Sequence, residues 1–358
     1  MQTTAIVFEE PNRVGVRDLA PLSCGPGEIL VETLYSCVSP GTEMRVLGGI
    51  LPHDRVKFPF VPGYAFIGRV LAVGEGVLGW QVGDVCSARN SVGSAEVGSL
   101  WGGHVSHHRL DVSGDARPVR LPAGCDPWAY VLTEIGAISW RGVTIAEPDA
   151  RDVAVVIGQG MIGALAARFL QTFGARVIVV DLLESRLERG RRWGLEALNG
   201  GEPDIRERIL EATAGGADIV VEASSSLSGV QLARDILRPN DESSCRREYR
   251  GHGDFGGRIP RLIFLATYTQ ELSELPGQWI HAERALIAAP KDRTYADRLA
   301  VVHQITLGRV VTDDFVREVT PAQQAPDAYR GLAEAPNRVD GVVFGWQNNG
   351  QAKAPEKI

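Results

Sequence analysis

A glycine-rich turn after an apolar segment gives this sequence its clearest chemical signature. The turn reads Gly158-Gln159-Gly160-Met161-Ile162-Gly163, follows the apolar run 153–157 and precedes a helical pattern. An acidic residue, Asp181, ends the next apolar segment. In a strand–turn–helix unit the first glycine permits the tight turn, the second lets a pyrophosphate approach the backbone, and the third allows close helix–strand packing. The pattern therefore predicts a dinucleotide-binding site.

The same region indicates which nucleotide binds. The helix that follows the turn offers unpaired N–H groups and a partial positive charge to phosphates. Asp181 can accept hydrogen bonds from ribose hydroxyls and would repel a 2′-phosphate, which favours NAD over NADP. Arg186 either stacks on the adenine or lies on a solvated helix face. The predicted cofactor-binding residues lie in the turn, on the helix that follows Asp181 or at the ends of strands: Gly158, Gly160, Met161, Ile162, Gly163, Asp181, Arg186, Ser224 and Ala266.

The elements around this turn alternate between strands and helices. Apolar segments at 153–157, 176–180, 217–221, 262–266 and 285–289 are separated by helical patterns or by polar stretches. Continuous apolar runs are typical of strands that are buried on both faces. The alternation predicts a doubly wound parallel sheet, that is, a Rossmann domain of the α/β class.

The first 150 residues have a different texture. They consist of short β-rich pieces punctuated by glycine and proline, with a helical stretch predicted over 126–141. Many short strands separated by turn residues are typical of a compact barrel. Helices predicted over 295–307 and 326–334 and a last strand over 341–346 follow the parallel-sheet region.

The length of 358 residues indicates two domains, since single cores stop growing below that size. We predict a catalytic domain over 1–150, a nucleotide-binding domain over 151–290, a return to the catalytic domain over 291–346 and a flexible tail over 347–358. The polar stretch 238–257 reads as an inserted loop. It is either a lid or subunit contact over an anionic substrate, or a solvated surface loop, and its mixed charges and glycines favour the solvated loop.

The composition excludes several function classes. A net charge of −7 without a basic block argues against nucleic-acid and anionic-membrane partners. No stretch is long and apolar enough to span a bilayer, and the N-terminus lacks the pattern of a signal peptide. The five cysteines are scattered and odd in number, which favours a reducing, cytoplasmic environment over a disulfide framework.

Besides the nucleotide turn, several short segments along the chain form recognisable motifs: Val38-Ser39-Pro40-Gly41-Thr42-Glu43, Phe60-Val61-Pro62-Gly63-Tyr64, Gly68-Arg69-Val70, Gly83-Asp84-Val85, Gly102-Gly103-His104 and the ending 328–346. In these motifs and in their order, the chain resembles the medium-chain dehydrogenase/reductase superfamily, the zinc alcohol dehydrogenases and their relatives. The resemblance implies a GroES-like β-barrel catalytic domain joined to a Rossmann domain, and a homodimer. Within the superfamily, the motifs look most like the bacteriochlorophyllide a dehydrogenase branch.

The chain departs from the zinc-dependent relatives at the metal ligands. Ser39 stands in place of their cysteine and Tyr64 in place of their histidine, so that only Glu134 keeps a ligand position. A hydroxyl and a phenol do not substitute for thiolate and imidazole as zinc ligands. The four-cysteine lobe of the relatives is also replaced, by the stretch 90–98. The resemblance thus implies no metal site, and we expect Cys37 to be a small buried residue.

Without zinc, a protein group must take the hydroxyl proton as hydride leaves for the nicotinamide. We expect Ser39, Tyr64 and Glu134 to cluster where the relatives bind their metal. Our hypothesis is that Glu134 acts as a base or orients the substrate, directly or through Tyr64. Ser39 and Thr42 would then hydrogen-bond the substrate or relay its proton. The alternatives are that Tyr64 only fills the vacated space and that Glu134 faces solvent at the start of a helix.

Three histidines, His104, His107 and His108, suggest a metal site at first sight. On a strand, however, 104 and 108 share one face while 107 points to the other. We therefore interpret them as surface or core-edge histidines.

The sequence predicts an NAD(P)-dependent medium-chain alcohol dehydrogenase that uses NAD and acts on a small-molecule alcohol or ketone. Its substrate would be a sugar or cyclitol hydroxyl in a biosynthetic pathway, or the hydroxyethyl group of a tetrapyrrole. Two alternatives stay open. One is a zinc-free quinone or enoyl reductase, against which Asp181 counts because those enzymes prefer NADPH. The other is a non-catalytic nucleotide-binding protein.

Overall fold

A computed structural model describes residues 2–50, 57–89, 97–99, 101–238, 259–268, 286–290, 293–335 and 341–346. The chain divides into two compact units, which we call the β-rich unit (residues 1–137 and 294–358) and the Rossmann unit (138–293). The boundaries predicted from the sequence were at residues 150 and 290. The predicted inserted loop beyond residue 238 and the predicted tail 347–358 lie outside the described residues.

The Rossmann unit contains a six-stranded sheet with the strand order β12-β11-β10-β13-β14-β15, and every described pairing in it is parallel. This order is that of a doubly wound sheet whose two halves diverge between β10 and β13. The predicted α/β fold class is confirmed. The strands are β10 (Val153–Ile157), β11 (Arg176–Asp181), β12 (Glu196–Asn199), β13 (Ile219–Glu222), β14 (Arg261–Phe264) and β15 (Leu286–Ala288).

Helices of the Rossmann unit follow the strands of its sheet. They are α3 (Met161–Thr172), α4 (Glu184–Arg192), α5 (Ile205–Ala212) and α6 (Leu227–Ile236). The elements β12, α5 and α6 were not predicted from the sequence, and β12, with four residues, is too short to show a period. Among the described residues, no helix has the length and apolar character needed to cross a membrane.

The β-rich unit is built on two sheets, of strand order β2-β1-β4-β7 and β16-β17-β3-β5-β6-β9, with β8 paired to β3. Its strands are β1 (Thr3–Glu10), β2 (Arg13–Leu19), β3 (Glu28–Cys37), β4 (Phe60–Val61), β5 (Phe66–Val73), β6 (Val85–Ala88), β7 (Gly98–Ser99), β8 (His107–Asp111), β9 (Val119–Arg120), β16 (Val319–Pro321) and β17 (Val343–Gly345). Its helices are α1 (Pro40–Leu47), α7 (Tyr295–Thr306) and α8 (Ala325–Glu334).

An aromatic core joins the two ends of the chain within the β-rich unit. The rings of Phe8 and Tyr329 meet edge to face at 5.1 Å, and Tyr329 lies 5.9 Å from Phe344. All three side chains are fully buried. Strand β17 pairs with β3, so the last described strand completes a sheet that begins near residue 28.

Helix α2 (Thr133–Ile145) begins in the β-rich unit and ends in the Rossmann unit. Instead of the one helix predicted over 126–141, the structure has a separate 3₁₀ turn at Pro127–Tyr130 before α2. The Asp126 side chain accepts a hydrogen bond from the N–H of Trp128 and so starts the short turn. Glu134 then falls in the first turn of α2.

Candidate functional site

The nucleotide turn packs against the loop after β13 so tightly that two of its positions require glycine. Gly158 has φ +89°, and a Cβ there would lie 2.7 Å from the backbone nitrogen of Ser224. At Gly163 a Cβ would lie 1.8 Å from the carbonyl oxygen of Gly158. The first and third glycines therefore have the steric roles that their spacing predicted.

Gly160 has a different role, since a Cβ there would meet nothing within 4 Å. Its φ of −62° is open to any residue. Gly160 is the N-cap of α3, and no side chain caps this helix end. Open space beside the first N–H groups of a helix, which include those of Met161 and Ile162, suits a phosphate group. The turn thus fits the pyrophosphate of a dinucleotide.

Asp181 is held at the end of β11 by the turn itself. Its Oδ2 accepts a hydrogen bond from the Gln159 N–H at 2.6 Å and its Oδ1 accepts one from the Leu183 N–H at 2.9 Å. The Arg186 Nη1 lies 3.6 Å from Oδ2, and the side chain of Arg186 is only 17% exposed. The solvated alternative for Arg186 is therefore wrong: the ion pair with Asp181 draws the guanidinium onto the protein.

Arg189, which was not predicted as a site residue, braces the same turn. This arginine of α4 is 2% exposed and donates a hydrogen bond to the carbonyl oxygen of Gln159. Gln159 is fully buried, and its amide donates to the carbonyls of Val156 and Gly158, each at 3.2 Å. Arg189 is one of four arginines in α4, and no short-range pattern distinguished it from the other three.

Ser224 and Ala266 follow the carboxyl ends of β13 and β14. The N–H of Ser224 donates to Glu222 Oε1 at 2.8 Å, and its hydroxyl donates to the same oxygen. Glu222 is fully buried, and burial raises the pKa of its carboxyl. Ala266 is half-buried. Ser224 thus lies at the predicted edge, while its hydroxyl is engaged with Glu222.

In the β-rich unit, two of the predicted catalytic residues touch. The Tyr64 hydroxyl donates a hydrogen bond to Ser39 Oγ at 2.5 Å, and each residue is 6% exposed. Ser39 is the N-cap of α1, and Thr42 follows one turn later, half-buried, with its N–H on the Ser39 carbonyl at 3.1 Å. Ser39 and Tyr64 therefore form a hydroxyl pair at the start of α1, and Thr42 contacts Ser39 through its backbone N–H.

Backbone contacts fix the position of Tyr64. Gly63 has φ +86°, and a Cβ there would lie 2.6 Å from the imidazole ring of His104. The Gly103 N–H donates to the Gly63 carbonyl at 2.7 Å. Next to this contact, Trp101 packs edge to face on the Tyr64 ring at 5.3 Å and holds φ +70°. Bulky residues rarely adopt this left-handed backbone, so the surrounding structure must enforce it.

Glu43 anchors the backbone of Ser39. It is fully buried, and its Oε1 accepts a hydrogen bond from the Ser39 N–H at 2.8 Å. Its Oε2 accepts from the Tyr329 hydroxyl at 2.5 Å and lies 2.9 Å from His104 Nε2. The Ser36 hydroxyl lies 2.8 Å from His104 Nδ1, and it accepts from Trp346 Nε1 at 2.8 Å. We call the side chains of Glu43, His104, Tyr329, Ser36 and Trp346 the Glu43 network.

This arrangement corrects the interpretation of the histidines. His104 and His108 are both fully buried, and only His107 is partly exposed. His104 belongs to the Glu43 network, whereas His108 stacks on Phe66 with ring centroids 3.6 Å apart. Both ring nitrogens of His108 are buried without a hydrogen-bond partner. Burial, and then the neighbouring histidines, hold its pKa well below the usual value.

Glu134 is buried as well, so the solvent-facing alternative is wrong. The carboxylate is 1% exposed and accepts a hydrogen bond from Ser87 Oγ at 3.2 Å. The guanidinium of Arg298, a residue that the sequence analysis missed, lies 3.5 Å from the same oxygen. No short-range pattern could have found Arg298, since 164 positions separate it from Glu134.

Cys37 is the small buried residue that the sequence predicted. It is 1% exposed, and burial, followed by the charge of Glu43, raises the pKa of its thiol. Within the described ranges, no group of three or more His, Cys, Asp or Glu side chains is placed to hold a metal ion.

The chain matches two protein families. Residues 25–109 match the family described as alcohol dehydrogenase GroES-like domain, and residues 162–244 match the family described as zinc-binding dehydrogenase. Sorbitol dehydrogenase from Halalkalibacterium halodurans is 28% identical over 79% of this chain and 86% of that protein. The 2-dehydro-3-deoxy-L-galactonate 5-dehydrogenase from Pseudoalteromonas atlantica is 25% identical over 88% of this chain and 91% of that protein.

Solved structures show the same fold. A short chain alcohol dehydrogenase from Escherichia coli CFT073, complexed with NADH, superposes with a TM-score of 0.79 at 18% identity. The match covers 96% of this chain and 99% of that chain.

Proposed function

We propose that this chain oxidises a secondary alcohol with NAD⁺ and without zinc. It belongs to the medium-chain dehydrogenase/reductase superfamily, as an oxidoreductase of the alcohol dehydrogenase type. A sugar or cyclitol hydroxyl is the substrate class that we favour. Two of its relatives are named for sorbitol and for a galactonate derivative. A hydroxyethyl-tetrapyrrole, to which the motif at Ser39–Glu43 points, is the alternative.

The hydrogen bond between Tyr64 and Ser39 carries the zinc-free part of the proposal. Zinc sites are built from thiolate, imidazole and carboxylate ligands. Here two of the expected ligand positions hold hydroxyl groups that bind one another at 2.5 Å. The third, Glu134, is engaged with Ser87 and with the Arg298 cation. This donor set does not fit zinc.

The turn after β10 fits a nicotinamide dinucleotide. The open space at Gly160 and the uncapped end of α3 suit the pyrophosphate. Asp181 keeps a carboxylate at the end of β11, where an adenosine ribose lies in doubly wound sheets. A bound nicotinamide would accept the hydride from the alcohol carbon. The carboxylate supports NAD as the cofactor because it would repel a 2′-phosphate.

The hydroxyl pair offers a route for the proton. As the alcohol loses hydride, its hydroxyl proton must leave, and a positioned side chain can take it. Tyr64 can accept this proton while its own proton passes to Ser39 Oγ along the existing hydrogen bond, and Ser39 in turn releases its own hydroxyl proton. We propose Thr42, half-buried and one turn along α1, as the next acceptor of that proton towards solvent.

The first experiment tests cofactor and metal together. The purified protein is treated with a chelator, analysed for zinc and screened against sugar alcohols and cyclitols by the absorbance of NADH. We expect turnover without stoichiometric zinc, and NADH binding roughly tenfold or more tighter than NADPH binding in a fluorescence titration. Activity that disappears with the chelator and returns with zinc contradicts the proposal.

The second experiment tests the proton route. Tyr64→Phe should lower kcat by roughly 10²- to 10⁴-fold, the usual range for loss of a general acid–base group. Tyr130→Phe is the matched control, because its hydroxyl binds Thr306 at 3.0 Å elsewhere in the same unit. Equal activity in both variants would remove Tyr64 from the mechanism.

A further inference from the structure

His104 is a completely buried histidine that the proton route proposed above does not use. It is 0% exposed and lies in the segment that precedes β8. Both of its ring nitrogens have polar partners: Nε2 lies 2.9 Å from Glu43 Oε2, and Nδ1 lies 2.8 Å from Ser36 Oγ. The imidazole is therefore fixed both in its position and in its rotation.

The neighbours of the imidazole determine which of its nitrogens donates to Glu43. The indole N–H of Trp346 can only donate, and it donates to Ser36 Oγ at 2.8 Å. The Ser36 hydroxyl then has its own hydrogen available for Nδ1 of His104. This order leaves the ring hydrogen on Nε2, so that the imidazole donates a hydrogen bond to Glu43 Oε2.

One contact of His104 leads to Ser39. While Glu43 Oε2 faces the imidazole, Oε1 of the same carboxyl group accepts the Ser39 N–H at 2.8 Å. Ser39 is the N-cap of α1 but makes no side-chain capping bond, so helix capping does not hold its hydroxyl. Through Glu43, the imidazole therefore helps to fix the backbone that carries Ser39 Oγ.

The other contact of His104 leads to Tyr64. A Cβ on Gly63 would lie 2.6 Å from the imidazole, so the ring packs directly against the residue that precedes Tyr64. The backbone N–H of His104 also donates to the carbonyl of Pro62, two residues before Tyr64, at 3.0 Å. The same residue thus supports both segments that supply the hydroxyl pair.

Resting on the function proposed above, we infer that His104 is a positioning residue, which holds Tyr64 and Ser39 at the distance that lets a proton pass between their hydroxyl groups. Its ring supports the segment of Tyr64, and its Nε2 supports Ser39 through Glu43. The two hydroxyl oxygens lie 2.5 Å apart, and a hydrogen bond weakens steeply when its partners lose their alignment. Misplacement of a reacting group by about 1 Å can lower a rate by about 10²-fold.

Two substitutions of His104 separate positioning from packing. Both remove the ring and its edge-to-face contact with Phe344. His104→Gln keeps an N–H donor near the place of Nε2 and can still support Glu43, whereas His104→Asn is one methylene shorter and loses this donor. We expect His104→Asn to lower kcat by about 10²-fold, and His104→Gln, which keeps one of the two supports, to recover roughly tenfold of that loss. Equal kcat values in the two variants overturn the inference.

The affinity for NADH serves as an internal reference. The nucleotide turn belongs to the Rossmann unit, whereas His104 belongs to the β-rich unit. Both His104 variants should therefore bind NADH as the wild type does while kcat falls. A loss of NADH affinity as large as the loss of kcat would show general damage to the protein and overturn the inference.

His108→Asn is the matched control. His108 is also completely buried and lies four residues further along, but its ring stacks on Phe66 and has no hydrogen-bond partner among the described residues. Its replacement should lower the thermal unfolding midpoint and leave kcat close to the wild-type value. A loss of kcat as large as that of His104→Asn would mean that destabilisation alone lowers the rate, and the inference would then be wrong.

Crystal structures of the variants separate the failure of this inference from the failure of the proposed function. In His104→Asn the hydroxyls of Tyr64 and Ser39 should lie beyond hydrogen-bonding distance, and in His104→Gln they should stay in contact. A pair that stays in contact in His104→Asn overturns the inference, whether or not the protein oxidises an alcohol. Absence of alcohol oxidation in the wild type refutes the proposed function alone.

Ser36→Ala replaces His104→Asn if that variant does not fold. It leaves the imidazole in place and removes the hydrogen bond that fixes Nδ1, so the ring is free to turn away from Glu43. We expect a longer distance between the hydroxyls of Tyr64 and Ser39 and a lower kcat. An unchanged distance in Ser36→Ala overturns the inference.

Discussion

Replacing Tyr329 by phenylalanine removes one hydroxyl group from the Glu43 network and leaves the aromatic ring in place. The ring is packed between Phe8 and Phe344, so no cavity forms apart from the space of one oxygen atom. The lost hydrogen bond joins a buried phenol to a buried carboxylate at 2.5 Å. Hydrogen bonds to charged groups contribute about 1.5–3 kcal/mol, and Glu43 keeps its other donors. We therefore expect the free energy of unfolding to fall by about 2 kcal/mol.

Urea denaturation of the wild type, Tyr329→Phe and Tyr130→Phe measures this loss. Tyr130 is a matched control because it is 5% exposed and its hydroxyl binds the neutral hydroxyl of Thr306 at 3.0 Å. A neutral pair contributes about 1 kcal/mol, so Tyr329→Phe should cost about twice as much as Tyr130→Phe. Equal losses, or a larger loss at Tyr130, would refute the argument that Glu43 is a charged acceptor.

The pH dependence gives a further test of the same substitution. Burial, and then the charge of Glu43, raise the pKa of Tyr329 well above 10.0, while a tyrosine in the unfolded chain ionises near that value. Above pH 10 the unfolded chain therefore loses a proton that the folded protein keeps, and the wild type loses about 1.4 kcal/mol of stability per pH unit from this group. Tyr329→Phe lacks this loss, so the gap between the two proteins should narrow as the pH rises.

Three further predictions follow from burial and packing. A histidine protonates near pH 6.5 in the unfolded chain, but the pKa of His108 in the fold is well below that value. The wild type should therefore lose about 1.4 kcal/mol of unfolding free energy per pH unit below pH 6.5, as measured by urea denaturation. His108→Phe should reduce this slope, and an unchanged slope would contradict the prediction. Gly160→Ala should weaken NADH binding with little change in the thermal unfolding midpoint, because a Cβ at Gly160 meets no protein atom. Gly163→Ala should lower both the NADH affinity and the unfolding midpoint, because its Cβ would lie 1.8 Å from the Gly158 carbonyl oxygen. A Gly163→Ala protein of wild-type stability would argue against the turn as described. Arg261→Met removes the buried cation beside the Asp152 carboxylate and should cost about 3–5 kcal/mol in urea denaturation. Arg151→Met breaks an ion pair of the same 2.6 Å length on the surface and should change the stability far less; similar losses would refute the dependence on burial.

The fold and the nucleotide turn were predictable because their signals are local. The glycines at 158 and 163 are required by atoms only a few residues away or on the neighbouring strand, and the spacing of the turn encodes that requirement. Apolar runs such as 153–157 indicate buried strands without knowledge of their partners. Short elements such as β12, with four residues, carry too few apolar positions to show a period.

The polar partners of the site could not be predicted from sequence. Glu134 and Arg298 are 164 positions apart, and Glu43 and Tyr329 are 286 apart. Only the folded sheets bring such residues together, so composition and spacing gave no sign of the pairs. A cluster of Ser39, Tyr64 and Glu134 was predicted on the strength of the family resemblance and not of the spacing. The structure shows the contact between Ser39 and Tyr64, whereas Glu134 contacts Ser87 and Arg298.

The Glu43 network also bears on the order in which the chain can become active during translation. Ser36 and Glu43 emerge from the ribosome early, yet they bind Trp346 and Tyr329, which are synthesised after the whole Rossmann unit. We therefore expect the Rossmann unit to fold first, while the segment that carries Ser39 becomes ordered only after the last strand has been synthesised. A nascent chain stalled before residue 329 should hold NADH but lack the ordered hydroxyl pair, so coenzyme capture would precede catalytic competence.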